Sequence, residues 1–296
     1  MKNDELIAII ILNYFNAKLT KACCESIRQE IDANFFIVEN SADSIERNKL
    51  INAIAPFQEQ TTILFPDRNL GFAAGVNLGL REAIKRGNNQ FLIINNDARL
   101  KAGSGQALKK AFYQYKGCLI SPKIYWDHKT IGIRYYHKYT GVMFDDVATV
   151  LSKYFFKLGF LPYLTGCALA FDKTLITKTG FFDEDFFMYG EDVEFSQRAR
   201  AKGCELKLLD EVFVEHDGSI SAKKRGSFFY EFLINRSHLL LTKKLAPTFL
   251  VKNFSYIGKF CYLFIRSLYR TIRFKNFIPI KAFVLSFKHE KLPNNN

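Results

Sequence analysis

Residues 6–12, LIAIIIL, are consecutive apolar residues, a pattern that is typical of a strand buried on both faces. Three similar short runs follow along the chain: FFIV at 35–38, TTILF at 61–65 and FLII at 91–94. Helical patterns separate them, most clearly at 71–86, where apolar residues recur every three or four positions. Strands that alternate with helices predict an α/β fold with a mainly parallel central sheet flanked by helices.

The second half of the chain has a less regular pattern. The pattern predicts strands at Leu119–Trp126, Tyr163–Phe171 and Glu205–Val214, an aromatic and acidic loop at Phe181–Tyr189, and a helix at Asp192–Lys202 closed by Gly203. Beyond Ser219 the periodicity becomes helical, with breaks at Pro247 and Pro279. The sequence therefore predicts that helices follow the α/β part.

The positive charge of the chain is concentrated at one end. The chain has 42 Lys and Arg against 29 Asp and Glu, a formal net charge of +13. Residues 1–219 carry 27 of each sign, whereas residues 220–296 carry 15 basic residues and 2 acids. This asymmetry predicts a neutral domain at 1–221 and a basic helical tail at 222–296, and it argues against a protein that coats nucleic acid.

Cysteine usage and hydropathy indicate the compartment. None of the six cysteines forms a C-x-x-C pair, which speaks against a zinc framework or a disulfide scaffold and fits a reducing compartment. The apolar run at 6–12 follows two acids and is too short for a signal peptide. The longest uncharged stretch, 158–171, is shorter than the roughly 20 residues that a spanning helix needs. We therefore expect a cytoplasmic protein.

Polar side chains stand where the predicted strands end. Asn13 ends the first strand, Glu39 and Asn40 end the second, and Asn95-Asn96-Asp97 follows the fourth. Because parallel sheets bind ligands beyond the carboxyl ends of their strands, these residues mark a candidate site. A carboxylate at Asp97 with an oxygen ligand at Asn95 could hold a hard divalent ion. The alternative is a simple turn, since Asn and Asp are common turn residues.

Three further patterns each allow a structural and a functional interpretation. Asp192 in Glu191-Asp192 is either a helix cap or a general base. His216 is either a hydrogen-bonded surface residue or a metal ligand. The segment 69–77, NLGFAAGVN, precedes a helix, so its glycines serve either anion binding or tight packing against the sheet.

The order of these blocks along the chain adds a further argument. The blocks are VEN-S at 38–41, NLGFAAGVN at 69–77, INND at 94–97, TGCALAF at 165–171, GFFDEDFFMYGEDVEFSQRARAKG at 180–203 and VFVEHDGSIS at 212–221. Together they resemble the family 2 glycosyltransferases with the GT-A fold, and in particular the bacterial rhamnosyltransferase-like branch. The resemblance covers residues 6–221, about three quarters of the chain.

The resemblance implies a role for each matching residue. Asp192 matches the catalytic base and Glu191 its partner, while Asn95, Asp97 and His216 match the ligands of a Mn²⁺ or Mg²⁺ ion bound to the donor diphosphate. Asn95 stands where the motif more often has Asp, and Glu39 stands where it has Asp. The residues expected to bind the nucleotide-sugar donor are Asn13, Glu39, Asn40, Arg68, Asn69, Gly71, Asn77 and Asn96.

The resemblance also implies a reaction and its partners. The donor would be a nucleoside-diphosphate sugar, dTDP-rhamnose or a UDP-hexose, and the acceptor a saccharide hydroxyl, most naturally of a polyprenyl-diphosphate-linked chain in surface polysaccharide synthesis. One base and no enzyme nucleophile imply a single displacement with inversion.

The basic tail suggests a membrane surface as a partner. On a helix starting near Asn253, one apolar face combines Tyr256, Phe260, Leu263, Phe264 and Ser267, with basic residues on its flanks at Lys259, Arg266, Arg270 and Arg273. Such a helix predicts peripheral binding to anionic lipid on the inner face of the plasma membrane. The alternative is a helical subdomain packed on the catalytic domain, with its basic side solvated.

Two other functions stay open at this point. A sugar-phosphate nucleotidyltransferase also combines an α/β sheet with acidic metal ligands, but it should carry a glycine-rich phosphate loop after the first strand, and residues 13–18 contain no glycine. A non-catalytic membrane- or nucleic-acid-binding module would use only the tail, and the presence of Asp97, Asp192 and His216 argues against it. The resemblance identifies neither the sugar nor the nucleotide base.

Overall fold

A computed structural model describes residues 6–145, 157–218 and 226–288. The strands are β1 (Ile7–Asn13), β2 (Ala33–Glu39), β3 (Thr61–Leu64), β4 (Gln90–Ile94), β5 (Ala98–Leu100), β6 (Leu119–Trp126), β7 (Lys129–Ile131), β8 (Arg134–His137), β9 (Met143–Asp145), β10 (Phe160–Tyr163), β11 (Ala168–Asp172) and β12 (Leu206–His216). The helices are α1 (Ala17–Arg28), α2 (Ser44–Ile54), α3 (Gly71–Lys85), α4 (Ser104–Gln114), α5 (Lys173–Thr179), α6 (Glu191–Ala201), α7 (Phe228–Leu245), α8 (Phe249–Phe274) and α9 (Ile278–Lys288).

Within the described residues, the central sheet has nine strands: eight in the order β3-β2-β1-β4-β11-β6-β12-β5, and β7, which pairs with β6. The first four strands in this order run parallel, whereas β11 runs antiparallel to both β4 and β6. β12 is parallel to β6, and β5 lies antiparallel at its far edge. The sheet is therefore mixed, and the predicted α/β class is confirmed. A second, three-stranded antiparallel sheet has the order β10-β8-β9.

The two faces of the central sheet carry separate parts of the core. Alternate residues of β1 point to opposite sides, so Ile9 joins the cluster beneath α1, and Ile10 joins the cluster beneath α3. Close approach of α3 to β1 depends on Gly75, because a Cβ atom there would lie 2.5 Å from the side chain of Leu12. At this glycine the packing interpretation is therefore correct.

The prediction of a single strand over Tyr163–Phe171 is wrong. The chain leaves β10 after Tyr163 and enters β11 at Ala168, and the two strands belong to different sheets. Between them, Leu164 N–H donates to the Ser196 hydroxyl and Gly166 N–H donates to the Asp192 carboxylate. Because these two N–H groups are bound by side chains of α6, Leu164 and Gly166 do not donate to a neighbouring strand.

The C-terminal helices α7, α8 and α9 pack on one another, and α7 also packs on α6. The predicted domain boundary at 221/222 lies outside the described residues. Pro247 separates α7 from α8 and Pro279 stands in the first turn of α9, in agreement with the predicted breaks.

The predicted arrangement of faces on the basic helix is wrong. Helix α8 begins at Phe249, and its buried residues are Ser255, Lys259, Leu263 and Ser267. Lys259, Arg266 and Arg270 turn inward, and the two arginines bind Glu231, a buried acid on α7. The apolar residues Phe260 and Phe264, predicted to share a face with Leu263, remain 48% and 40% exposed.

Candidate active site

The carboxyl end of β1 begins a polar network at the edge of the sheet. Asn13 is fully buried, and its amide donates to Glu46 at 3.2 Å. The Thr20 hydroxyl donates to the Asn13 side-chain oxygen at 2.7 Å, and the Asn96 amide donates to that hydroxyl at 3.2 Å. The structure thus brings Asn13 and Asn96 together through Thr20, while their contact with a donor stays a prediction.

The end of β2 presents one carboxylate oxygen without a protein partner. Glu39 is fully buried, and its Oε1 atom accepts the N–H of Ser41 at 2.9 Å. Its Oε2 atom has no hydrogen-bond partner among the described residues. A buried acceptor without a partner carries a desolvation cost that a ligand donor would remove. This geometry is compatible with the predicted contact between Glu39 and the nucleotide.

Asn40 fixes the segment that leads into α3. Its side-chain oxygen accepts the N–H of Leu70 at 2.9 Å, and its amide donates to the Gly71 carbonyl at 2.9 Å. Gly71 has a φ of +77°, and a Cβ atom there would collide with the carbonyl oxygen of Phe187. Only glycine fits this position, which ties the predicted donor loop to the segment before α6.

The remaining donor-loop residues have different environments. Arg68 is exposed, and Asn69 accepts the N–H of Gly71 at 2.9 Å. Asn77 is fully buried, and its amide donates to the Phe182 carbonyl and to Glu184 at 2.9 Å and 2.8 Å. Asn77 therefore holds the acidic segment before α6 in place, and a direct contact with the donor stays a prediction.

The side chains of Asp97, which directly precedes β5, and His216, which ends β12, are in contact. His216 Nε2 lies 3.1 Å from Asp97 Oδ1, and the N–H of Asp217 donates to the Asp97 carbonyl at 3.0 Å. Burial by itself lowers the pKa of His216, but hydrogen bonds and charge from Asp97 and Cys167 outweigh it and raise the pKa to about 10. In this arrangement the imidazole is protonated and paired with the carboxylate.

The donor set of this pair fits a divalent ion that also binds a substrate diphosphate. Among the described residues, no group of three or more His, Cys, Asp or Glu side chains is placed to hold a metal. A carboxylate and an imidazole together suit Mn²⁺, and an ion bound by few protein ligands takes the rest from substrate phosphate and water. Asp97 is 7% exposed, so the pair is also shielded from bulk water. Asn95 stands on the same turn, and its N–H donates to the Cys167 carbonyl at 2.9 Å.

Glu191 and Asp192 open helix α6, but neither is its N-cap residue. The N-cap is Gly190, which has a left-handed φ of 89° and no side chain to bond the helix. Asp192 Oδ2 instead accepts the N–H of Gly166 at 3.1 Å, and its Oδ1 accepts the N–H of Val193 at 2.8 Å. Asp192 is therefore not the N-cap residue, although its Oδ1 atom binds one free N–H of the first turn, and its Oδ2 atom faces the segment between β10 and β11.

The two neighbouring carboxyl groups, Glu191 and Asp192, differ in what shifts their pKa. Burial and the charge of Asp192 raise the pKa of Glu191 to about 8. Burial also raises the pKa of Asp192, but the N–H of Gly166 and the charge of Arg134 oppose this rise. Near neutral pH Glu191 therefore keeps its proton, while the N–H of Gly166 and the charge of Arg134 favour the charged form of Asp192, the form that a general base requires.

Segment 165–168 lies between the predicted metal ligands and the predicted base, and its backbone contacts both groups. Its Cys167 carbonyl accepts from Asn95 beside the Asp97–His216 pair, and its Gly166 N–H donates to Asp192. The structure thus joins the predicted metal ligands and the predicted base through one short stretch of backbone.

The sequence did not predict Arg134 as part of the site. Arg134 lies on β8, its Nε atom is 2.6 Å from Asp145 Oδ1, and its guanidinium lies over the ring of Tyr163 at 5.7 Å. Its charge reaches Asp192 because Tyr163 and Asp192 both border the turn between β10 and β11. No local motif marks Arg134, since β8 lies in a sheet whose pairing the sequence did not indicate.

The chain is similar to known proteins in sequence and in fold. No family model matches the chain. Over 256 residues the chain is 22% identical to the low-salt glycan biosynthesis hexosyltransferase Agl10 of Haloferax volcanii, covering 82% of this chain and 76% of that protein. Among solved structures, GalNAc-T7 with UDP, GalNAc and Mn²⁺ superposes with a TM-score of 0.59 at 13% identity, over 86% of this chain and 54% of that longer chain.

A second solved structure, S. aureus TarS 1–349, superposes with a TM-score of 0.56 at 11% identity over 91% of this chain and 72% of that chain. The same TarS fragment in complex with UDP gives a TM-score of 0.52 at 12% identity. The chain has the GT-A fold. The predicted fold is thereby confirmed, and the relative and the neighbours agree with the predicted enzyme class.

Proposed function

We propose that the chain is an inverting, metal-dependent glycosyltransferase that moves a sugar from a nucleoside-diphosphate sugar to a saccharide hydroxyl. The observation that carries this proposal is the placement of Asp192 and of the Asp97–His216 pair on either side of segment 165–168. A glycosyl transfer needs both elements within the length of one sugar diphosphate: a base for the acceptor and charge neutralisation for the leaving diphosphate.

Asp192, Glu191 and Gly166 each have a separate role in the proposed transfer reaction. Asp192 accepts the proton of the acceptor hydroxyl as its oxygen forms a bond to the anomeric carbon. The bond from that carbon to the diphosphate oxygen breaks on the opposite side, so the configuration inverts. Glu191 keeps its proton near neutral pH and so leaves Asp192 as the charged member of the pair. Gly166 N–H orients the base.

Asp97 and His216, with Asn95 beside them, are the residues that would hold the divalent ion. Bound there, Mn²⁺ or Mg²⁺ would neutralise the charge that develops on the leaving diphosphate. The GalNAc-T7 structure contains Mn²⁺, which supports the use of a divalent ion in this fold. His216 must give up its proton to bind a metal, so binding of the ion and release of a proton are coupled.

The donor base and the acceptor follow from the comparisons and from the composition of the tail. Both GalNAc-T7 and TarS were solved with UDP, which supports a UDP-hexose, with dTDP-rhamnose as the other candidate. The basic helices α7 to α9 support an acceptor that is linked to a polyprenyl diphosphate, in surface polysaccharide synthesis on the inner face of the plasma membrane. No helix in the described ranges is long and apolar enough to cross a membrane.

Thermal denaturation with UDP, dTDP or GDP, each with Mn²⁺, Mg²⁺ or EDTA, tests the donor half of the proposal. A nucleotide that binds only the folded protein raises its melting temperature. We expect one diphosphate to stabilise the wild type in the presence of metal alone, and Asp97→Ala to abolish that shift. If no diphosphate stabilises the wild type under any condition, the proposed donor site is wrong.

The variant Asp192→Asn tests the base. Its amide keeps the size of the carboxylate but cannot accept a proton, so transfer should fall by about 10²–10⁴-fold while binding of the diphosphate stays unchanged. Asp210→Asn, on the exposed surface of β12, is the matched control. Equal loss of diphosphate binding and of transfer in Asp192→Asn would contradict the assignment of the base.

A further inference from the structure

The outer face of helix α8 is an apolar stripe that runs the length of the helix. The residues of the stripe are separated by three or four positions, which is the spacing of one helix face. Its most exposed members retain between 64% and 76% of their accessible surface: Leu250, Phe254, Ile257, Ile265 and Ile272. Cys261 lies on the same face and is also exposed. A contiguous apolar surface of this kind marks a binding surface.

The inner face of α8 is polar, which reverses the usual arrangement of a surface helix. Lys259 is 1% exposed and lies over the ring of Tyr136 at 5.1 Å. Arg266 and Arg270 bind the two oxygens of Glu231, which is fully buried on α7. Because these contacts fix the orientation of α8, the helix cannot turn its apolar side inward without breaking a buried ion-pair network.

Helix α9 extends the apolar surface. An aromatic cluster joins the two helices through Phe260, Phe264, Phe283 and Phe287, with ring centroids 5.0–6.3 Å apart. Phe277, in the turn between α8 and α9, is 79% exposed. The surface is therefore a broad patch along a helix of 26 residues, about 39 Å long.

The charges around the patch have a single sign. Within residues 226–288 the only acid is Glu231, which is buried between two arginines. The exposed charged side chains near the patch are Arg273, Lys275, Lys281 and Lys288, and all are basic. A second copy of the chain docked on this face would bring like charges together, whereas an anionic lipid surface complements them.

We propose that the outer face of α8, extended by α9, inserts into the boundary between headgroups and acyl chains of an anionic bilayer, with the helix lying in the plane of the membrane. Apolar insertion supplies most of the affinity, and the basic rim adds a contribution that salt weakens. This inference deepens the proposed function by naming the surface that brings the enzyme to a lipid-linked acceptor. It differs from the sequence prediction, in which Lys259, Arg266 and Arg270 contacted the lipid.

Sedimentation of the full chain with vesicles tests the surface. The probes are vesicles of phosphatidylcholine alone and of phosphatidylcholine with about one third phosphatidylglycerol. We expect the wild type to bind both, the anionic vesicles more tightly, and Ile257→Ser/Ile265→Ser to lose about tenfold in partitioning per residue. The matched control is Ile45→Ser/Ile51→Ser, two exposed isoleucines on α2, which should bind as the wild type does.

A fluorophore on Cys261 gives a second readout that needs no destabilising change. Cys118, which is partly accessible, is first replaced by serine, and an environment-sensitive dye is attached at Cys261. We expect a blue shift on addition of anionic vesicles and none on addition of UDP. If the double isoleucine variant sediments like the wild type, or if the dye stays in water, the proposal is wrong.

The proposal would also be overturned if the wild type forms a dimer, if Cys261 resists labelling in the absence of lipid and if the protein does not bind vesicles. That result would indicate that a second copy of the chain covers the patch. Vesicle binding needs neither donor nor metal. A chain that binds vesicles through α8 but no nucleoside diphosphate would therefore refute the proposed reaction and leave this surface standing.

Discussion

Replacing Glu191 with glutamine is expected to stabilise the protein, and the gain should grow as the pH rises. Glu191 is 6% exposed, and its Oε2 atom has no hydrogen-bond partner among the described residues. Burial, together with the neighbouring charge of Asp192, raises the pKa of Glu191 from 4.5 to about 8. Glutamine has the same size and no proton to lose, so it removes the cost of a buried charge.

The size of the effect follows from the two pKa values. Between pH 4.5 and about 8 the folded protein holds a proton on Glu191 that the unfolded chain releases. The free energy of unfolding therefore falls as the pH rises through this window, by up to about 1.4 kcal/mol per pH unit. Over the whole window the wild type loses on the order of 3–5 kcal/mol, a loss that Glu191→Gln does not share.

Urea unfolding at one-unit steps from about pH 5 to about pH 9 measures this difference. The free energies of unfolding of wild type and variant should be nearly equal at the acid end and diverge until about pH 8, beyond which they run parallel. Glu25→Gln, which removes an exposed carboxylate on α1, controls for the change in net charge. A difference that stays constant, or that shrinks as the pH rises, would refute the view that Glu191 holds a proton at neutral pH.

Three further changes test the surroundings of the site. Arg134→Met should raise the pKa of Asp192 and move the acid limb of the pH–rate profile to higher pH, while Arg134→Lys should leave it in place, as the pH dependence of transfer would show. Glu231→Gln should cost about 3–5 kcal/mol in urea unfolding because two partly buried arginines lose the charge of their fully buried partner, and a loss below about 1 kcal/mol would argue against the network. Gly71→Ala should destabilise the protein by more than Gly103→Ala, which has an equally left-handed φ but open space around it, as the two melting temperatures would reveal.

Much of the α/β part could be predicted because its signals are local. Apolar runs of four to seven residues matched β1, β2, β3 and β4 to within a residue or two, and the strand Leu119–Trp126 was predicted with its observed bounds. The strand ends likewise placed Asp97 at the sheet edge, since the direction of a parallel strand determines where the next residue lies.

The sequence by itself determined the alternation of strands and helices and the polar residues at the strand ends, because both depend on neighbours along the chain. Only the tertiary structure decided that Arg134 acts on Asp192 and that Tyr163–Phe171 divides between two sheets. It also decided that α8 faces inward with its basic side. An amphipathic pattern defines two faces of a helix, but the buried carboxylate of Glu231, on another helix, selects which face is covered. That choice depends on contacts between residues distant in sequence, which no local pattern encodes.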